Sequence, residues 1–336
     1  MRTYELRAKS LESLTLVERP SPRPGPGQVV VRVRAASLNY RDLLVATGRY
    51  PLGEPRLPLV PLSDAAGEVV ETGAKVTLVK PGDRVAGAFF QKWIDGPFDA
   101  EKAGSALGGA IDGVLSEYVV LEEAAAVKIP AALSFDEAAT LPCAGVTAWV
   151  ALKVLGGLSA GQTVLAMGTG GVSIFALQIA KMLGARVIVT SSRDDKLARA
   201  KALGADGIIN YRSTPEWDAR ARELTGGRGV DHLLEVGGAA TLPTSLRAVR
   251  EGGHLTLVGL LGGAPADRAA ATQNDRGVRV DSVYVGSVRH FESMNDAIER
   301  AGMHPVVGRV FPFEQARAAY DYLESGEHFG KVVVRV

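Results

Sequence analysis

The sequence has a single cysteine, Cys143, in 336 residues. One thiol excludes any intrachain disulfide. Neither sign of charge dominates: 38 Lys and Arg stand against 37 Asp and Glu, a formal net charge of +1. No global field therefore draws the chain to nucleic acid or to an anionic membrane. No run of about eighteen apolar residues occurs, so no helical span is expected. The segment MRTYELRAKSLESLTLVERP carries a charge every few positions and does not match a secretory signal. Internal repeats, low-complexity tracts and long linkers are also missing. What remains is an ordinary globular composition, 46% hydrophobic and 22% charged. It predicts a water-soluble cytoplasmic protein long enough for two domains.

The first third is rich in short strand-like runs broken by Gly and Pro. LTLVER precedes PSPRPGPG, which must be loop because proline fixes φ and removes donors. VVVRVRAASL alternates apolar and charged residues like a half-buried strand, and GEVVET, RVAGAF and LSEYVVL continue the pattern. A barrel or folded-over sheet is expected there. From Ser134 the texture changes. SFDEAATLPCAGVTAWVALKVL reads as one helix, with Ser134 and Glu137 spaced as a capping box. Strands then alternate with helices: TVLAMG, RVIVTS, GIINY, HLLEVG and GHLTLVG, with VDSVYVG as a later addition. Repeated βαβ units of uniformly apolar strands predict a doubly wound parallel sheet buried on both faces.

The first of these βα junctions is LAMGTGGVSIFALQIAK. Gly168, Gly170 and Gly171, followed by Val172, lie between a buried strand and a long helix. Glycines allow a sharp turn and a close approach of backbone N–H groups to a pyrophosphate, and the helix N-terminus adds partial positive charge. In a NAD-binding unit an acidic residue about twenty positions on would take the adenosine ribose hydroxyls. Here the strand RVIVTS ends at Ser191 and Ser192, followed by Arg193 and, soon after, Lys196. Without the carboxylate, repulsion of a 2′-phosphate is gone, and hydroxyl, guanidinium and ammonium groups can bind it. The expected cofactor is NADP(H), with NAD(H) as the alternative. Asp194 and Asp195 are expected to start the next helix.

With these segments in place, the chain resembles a medium-chain dehydrogenase/reductase, the superfamily of alcohol dehydrogenases and quinone oxidoreductases. SLNYRDLLVATGRYP, PLSDAAGEVVETG, PGDRVAG, LPCAGVTAW, GTGGVSIFALQIAK, KALGADGIINY and HFGKVVVRV carry the resemblance over almost the whole length. It implies a GroES-like, mainly β catalytic domain (1–124 and 289–336) and a Rossmann domain (125–288), with the active site in the cleft between them. It also implies a homodimer or homotetramer. The resemblance places 2′-phosphate contacts on Lys196 and Tyr211, nicotinamide-edge segments on Val236-Gly237 and Val258-Gly259, and a threonine beside the nicotinamide on Thr147.

Many such relatives hold catalytic zinc. The resemblance puts the first ligand position on Asn39, the histidine position on Ser63 with Asp64 adjacent, and the third position on Cys143. Zinc requires thiolate or imidazole donors, and no histidine precedes His232. No metal is expected, and Cys143 is expected to be a small buried thiol. Without a Lewis acid, alcohol oxidation loses its usual alkoxide stabiliser. The expected reaction is hydride transfer from NADPH to a quinone or an α,β-unsaturated carbonyl. Asn39, Ser63, Tyr40 and Tyr50 are candidate donors to the resulting oxyanion. Tyr50 matches the proton-donating tyrosine of enoyl reductases, with an aromatic packing role as the alternative. Asp64 is expected to orient loop backbone or pair with Arg41. The rival readings are an alcohol dehydrogenase or aldehyde reductase of the same superfamily, and a nucleotide-binding structural or RNA-binding protein. His232, His254, His290, His304 and His328 are expected to be structural or surface residues. Segment 89–113, with Phe90, Trp93 and Phe98, is expected to line or anchor a substrate loop, and 262–278 to be a second, polar loop.

Overall fold

Valine-rich runs make the sheets, and turn residues separate them. The computed structural model describes residues 1–51, 53, 55–259 and 274–336. They divide into two units, Met1–Val146 with Val285–Val336, and Thr147–Tyr284. The sequence reading had set these boundaries at 124/125 and 288/289. The first crossing lies later because the short strand Ala126–Lys128 still pairs within the first unit's sheet.

In the first unit, β1 (Arg2–Leu6) and β2 (Leu14–Glu18) form an antiparallel hairpin. The larger sheet begins with β3 (Gln28–Leu38), β4 (Asp64–Thr72), β5 (Arg84–Gly87), β6 (Tyr118–Glu122) and β7 (Ala126–Lys128). The second unit follows with β8 (Thr163–Met167), β9 (Arg186–Ser191), β10 (Gly207–Asn210), β11 (Val230–Glu235), β12 (Val249–Leu257) and β13 (Arg279–Ser282). The chain then returns to the first unit as β14 (Val307–Pro312) and β15 (Lys331–Arg335).

The first unit's sheet runs β14-β15-β3-β4-β5-β7, with β6 also paired to β3. The register sets Val332 opposite Leu38 and Ser37 opposite Asp64. Three neighbouring strands thus bring Lys331, Asn39 and Asp64 to one end of the sheet. Below it lies a core that includes Leu38, Leu43, Leu62, Phe313 and Tyr320.

The second unit's sheet is wholly parallel, in the order β10-β9-β8-β11-β12-β13. β8 and β11 are buried along their full lengths, as expected for strands covered on both faces. The expected late strand is present as β13 but starts earlier and ends at Ser282.

The predicted single helix from Ser134 is broken instead. Phe135–Ala138 begins under an intact Ser134–Glu137 capping box. Wider π-type turns follow at Leu141–Gly145 and Val150–Leu155, flanking an α-helical turn at Val146–Trp149. Pro142 lies in the first of these wide turns; with no N–H it cannot make a regular helical bond.

Candidate active site

The first unit gathers a chain of buried polar groups at the end of β3. Asn39 caps the helix Tyr40–Ala46, and its backbone N–H donates to Asp42 Oδ2 at 2.7 Å. Lys331, a strand residue only 2% exposed, donates from Nζ to Leu38 O at 2.7 Å and to Asn39 Oδ1. Its ammonium lies 3.7 Å from Asp64 Oδ2. Asp64 is fully buried; it accepts from Ser63 Oγ at 2.7 Å and from the Cys143 N–H at 3.1 Å. Asp64 thus orients loop backbone, one of its two expected roles. It does not pair with Arg41, whose Nη1 lies 3.4 Å from Asp42 and donates to Leu107 O at 3.0 Å.

Three buried polar atoms in this cluster have no hydrogen-bond partner among the described residues: Arg41 Nε and Nη2, and Asn39 Nδ2. A buried orphan donor costs about 1–3 kcal/mol. Tyr50 joins the cluster through Arg41, whose guanidinium lies 5.0 Å from the Tyr50 ring centroid and 4.7 Å from that of Phe89. Just before Ser63, Leu62 adopts the left-handed region at φ 67°. This conformation costs about 1–2 kcal/mol. It is clasped from outside: a Cβ on Gly113 would lie 2.0 Å from Leu62 O, so only glycine lets the 108–113 loop approach.

Segment 89–113 anchors itself. Phe90, Trp93 and Phe98 stack on one another with centroids 4.8–5.7 Å apart, and Trp93 Nε1 donates to Gly96 O. Phe90 and Trp93 are therefore packing residues, the anchoring alternative of the sequence reading. Of segment 262–278, residues 262–273 lie outside the described residues.

The donor set does not fit zinc. Asn39 and Ser63 offer an amide and a hydroxyl, and the Asn39 oxygen is already taken by an ammonium. Burial and the neighbouring Asp64 push the Cys143 thiol well above its ordinary pKa, which leaves it neutral. Among the described residues no three His, Cys, Asp or Glu side chains gather as a metal site.

The second unit holds the glycine turn. Gly168 sits at φ +76°, with open space where a Cβ would stand, and its N–H donates to Thr190 O at 2.9 Å. Gly170 caps the helix Gly171–Met182. The first-turn amides, Gly171 and Val172 among them, have no intrahelical acceptor, which suits a phosphate. Ser191 ends β9 beside this turn; it is 4% exposed, and its Oγ accepts the Arg193 N–H at 3.3 Å. Lys196 is buried on the following helix, and Tyr211, 43% exposed, follows β10. Arg193 is engaged differently from the expectation: Asp195 takes both ends of its fork at 2.9 Å. Thr147 is buried in the helical turn Val146–Trp149.

The sequence reading missed Glu235. This buried carboxylate accepts from Gly237 N at 2.6 Å, Gly238 N at 3.0 Å, Thr241 Oγ1 at 2.7 Å and Ser245 Oγ. Its backbone carbonyl takes the N–H groups of Val258 and Gly259 at 2.9 and 3.2 Å. Both predicted nicotinamide-edge segments, Val236-Gly237 and Val258-Gly259, are thereby tied to one residue. The signal was an acid closing an otherwise apolar strand, HLLEVG. Lys331 was missed for the same reason, as a cation opening the apolar run KVVVRV.

The family models agree with this layout. Residues 25–131 match the alcohol dehydrogenase GroES-like domain, and residues 171–302 match the zinc-binding dehydrogenase domain. A zinc-type alcohol dehydrogenase-like protein of Schizosaccharomyces pombe is 45% identical over 317 residues, covering 93% of this chain and 91% of the relative. The chain belongs to the medium-chain dehydrogenase/reductase superfamily. It is similar to the quinone oxidoreductase of Pseudomonas syringae pv. Tomato DC3000, with TM-score 0.85, 29% identity, and 100% and 99% of the two chains covered. A mycobacterial protein solved with NADPH matches with TM-score 0.83 and 27% identity over the full length of both chains. The chain is an oxidoreductase of this superfamily, with the doubly wound and GroES-like architecture that its sequence resembles. No helix among its described residues is long and apolar enough to cross a membrane.

Proposed function

We propose that this oxidoreductase transfers a hydride from NADPH to an electron-poor small molecule, a quinone or an α,β-unsaturated carbonyl, without a catalytic metal. The observation that carries this reading is the Lys331–Asn39 contact, in which an ammonium occupies the amide oxygen at the position that the resemblance gives to the first metal ligand. When bound, reduced nicotinamide supplies the hydride to the β-carbon of the acceptor. The first unit supplies Asn39 for the acceptor's oxygen and Tyr50, in the same cluster, for the balancing proton, while the single Ser63 hydroxyl proton is already given to Asp64. The second unit holds the dinucleotide through Gly168, Gly170, Gly171 and Val172, and its buried Ser191 hydroxyl favours a 2′-phosphate over a bare ribose.

The test mixes chelator-treated protein of measured metal content with NADPH or NADH and a panel of 1,4-benzoquinone, 2-cyclohexenone, aldehydes and alcohols. Loss of reduced-nicotinamide absorbance with enones or quinones, unchanged by chelation, is the expected result. Activity only with alcohol–aldehyde pairs, and only after zinc is restored, overturns it. That alternative is favoured by the zinc-type alcohol dehydrogenase-like name of the yeast relative. For the cofactor, the Asp195 grip on Arg193 is the observation that favours NADH. A preference for NADH overturns the reading of Ser191.

A further inference from the structure

An amide side chain has two ends of opposite hydrogen-bonding sense, one accepting and one donating. Which end of Asn39 faces inward is decided by its neighbour. An ammonium has three donors and no acceptor, so the Lys331 Nζ in contact with the amide can only face its oxygen. The Nδ2 end is then the free one, and it is this atom that is buried without a partner. The ammonium itself is turned inward, on a residue only 2% exposed. It donates to Leu38 O at 2.7 Å and to Asn39 Oδ1, and pairs electrostatically with Asp64 Oδ2 at 3.7 Å. Asp64 is held in turn by the Ser63 hydroxyl and the Cys143 N–H. The chain Ser63–Asp64–Lys331–Asn39 ends in one unsatisfied N–H₂ group.

We propose that Lys331 is a positioning residue that locks the Asn39 amide so that Nδ2 donates to the carbonyl oxygen of an enone or quinone. The proposal rests on the reductase reading above. Hydride arriving at the β-carbon of an enone moves an electron pair onto that oxygen, and a proton from Tyr50 or water then reaches the α-carbon; a quinone takes up the same hydride and proton to give the hydroquinone. The Asn39 donor meets the oxygen as its charge grows, which is where a preorganised hydrogen bond lowers the barrier. Lys331 strengthens the donor by drawing electron density toward Oδ1, and it prevents the amide from flipping.

The chain contains four asparagines, Asn39, Asn210, Asn274 and Asn295. Labelling asparagine alone with ¹⁵N therefore gives few side-chain N–H₂ signals, and N39D removes one pair and so assigns it. The probe is cyclohexanone, the saturated product of 2-cyclohexenone, added with NADP⁺. The Asn39 pair is expected to shift in the wild type while the other pairs stay in place. D64N keeps the ammonium–amide contact and the shift. K331M/D64N, which removes both buried charges together, loses the shift, and its kcat with 2-cyclohexenone falls about 100-fold, the usual loss for one oxyanion donor. Its NADPH dissociation constant is unchanged.

An Asn39 pair that stays in place while the wild type reduces 2-cyclohexenone overturns the proposal and leaves the reductase reading standing. Wild-type kcat with the shift retained in K331M/D64N overturns it equally. A wild type that neither shifts nor turns over any enone or quinone overturns both readings. Should the double variant not fold, N39D decides. The new carboxylate pairs with Lys331 and preserves the fold, while kcat falls about 100-fold with NADPH binding intact; an unchanged kcat overturns the proposal.

Discussion

The Glu235 carboxylate holds the Gly237 amide at 2.6 Å, and through its own main-chain oxygen it also holds Val258 and Gly259. Two loops that share no strand are thereby fixed by one residue. The close approach is visible at Gly259, where a Cβ would lie 2.7 Å from Val236 O. Hydrogen bonds to a charged acceptor contribute about 1.5–3 kcal/mol each. E235Q keeps the shape but turns an N–H₂ group toward donors. It is expected to cost about 3 kcal/mol in urea unfolding, and to weaken NADPH binding on the order of tenfold with the sheet intact by circular dichroism.

Ser191 is the test of cofactor choice. A carboxylate there would accept ribose hydroxyls and repel a 2′-phosphate, and such like-charge contacts cost several kcal/mol. S191D is expected to lower kcat/KM for NADPH about 100-fold and to raise it for NADH, read as the ratio of the two. R193Q is expected to do far less, a change of only a few-fold. The Arg193–Asp195 pair is solvent-exposed, at 47% and 60%, and exposed pairs contribute about 0–1 kcal/mol.

Much of this was legible before any coordinates. Periodicity is a property of the whole strand, so TVLAMG announced a strand buried on both faces. VVVRVRAASL reads as half-buried, whereas β3 is in fact buried at every position but Gln28, Arg32 and Arg34. Gly168 was legible because only glycine takes φ +76° without penalty at a strand-to-helix turn. The polar chain behind Asn39 was not. Lys331 and Asn39 are distant in sequence and meet only because β15 pairs with β3. The break in the helix after Ser134 was hidden too, since Pro142 reads equally well as a helix start or as a fault within one. His232 and His254 looked like scattered residues, yet the β11–β12 register sets them directly opposite each other, with Nδ1 atoms 3.4 Å apart.

Two buried groups titrate across the same acid window with opposite effects on stability. Burial, followed by the charge of its partner His254, lowers the His232 imidazole to about 4 from an ordinary 6.5. The unfolded chain then binds the proton first. The stabilising contribution of the neutral ring is complete above pH 6.5 and is lost as the pH falls toward 4. Burial raises the Asp42 carboxyl from 3.8 to about 6, against the pull of Arg41. Here the folded chain binds the proton first, so the contribution is complete below pH 3.8 and is lost as the pH rises through 6. Each shift corresponds to about 3 kcal/mol at most. Urea unfolding of the wild type, H232Q and D42N at pH 7 and pH 4.5 separates them. H232Q is expected to lose less stability than the wild type on acidification, because the imidazole no longer has to be kept neutral. D42N is expected to lose more, because the carboxyl that gains a proton on folding is gone. Parallel slopes for all three proteins would show that neither group is held as its buried position requires.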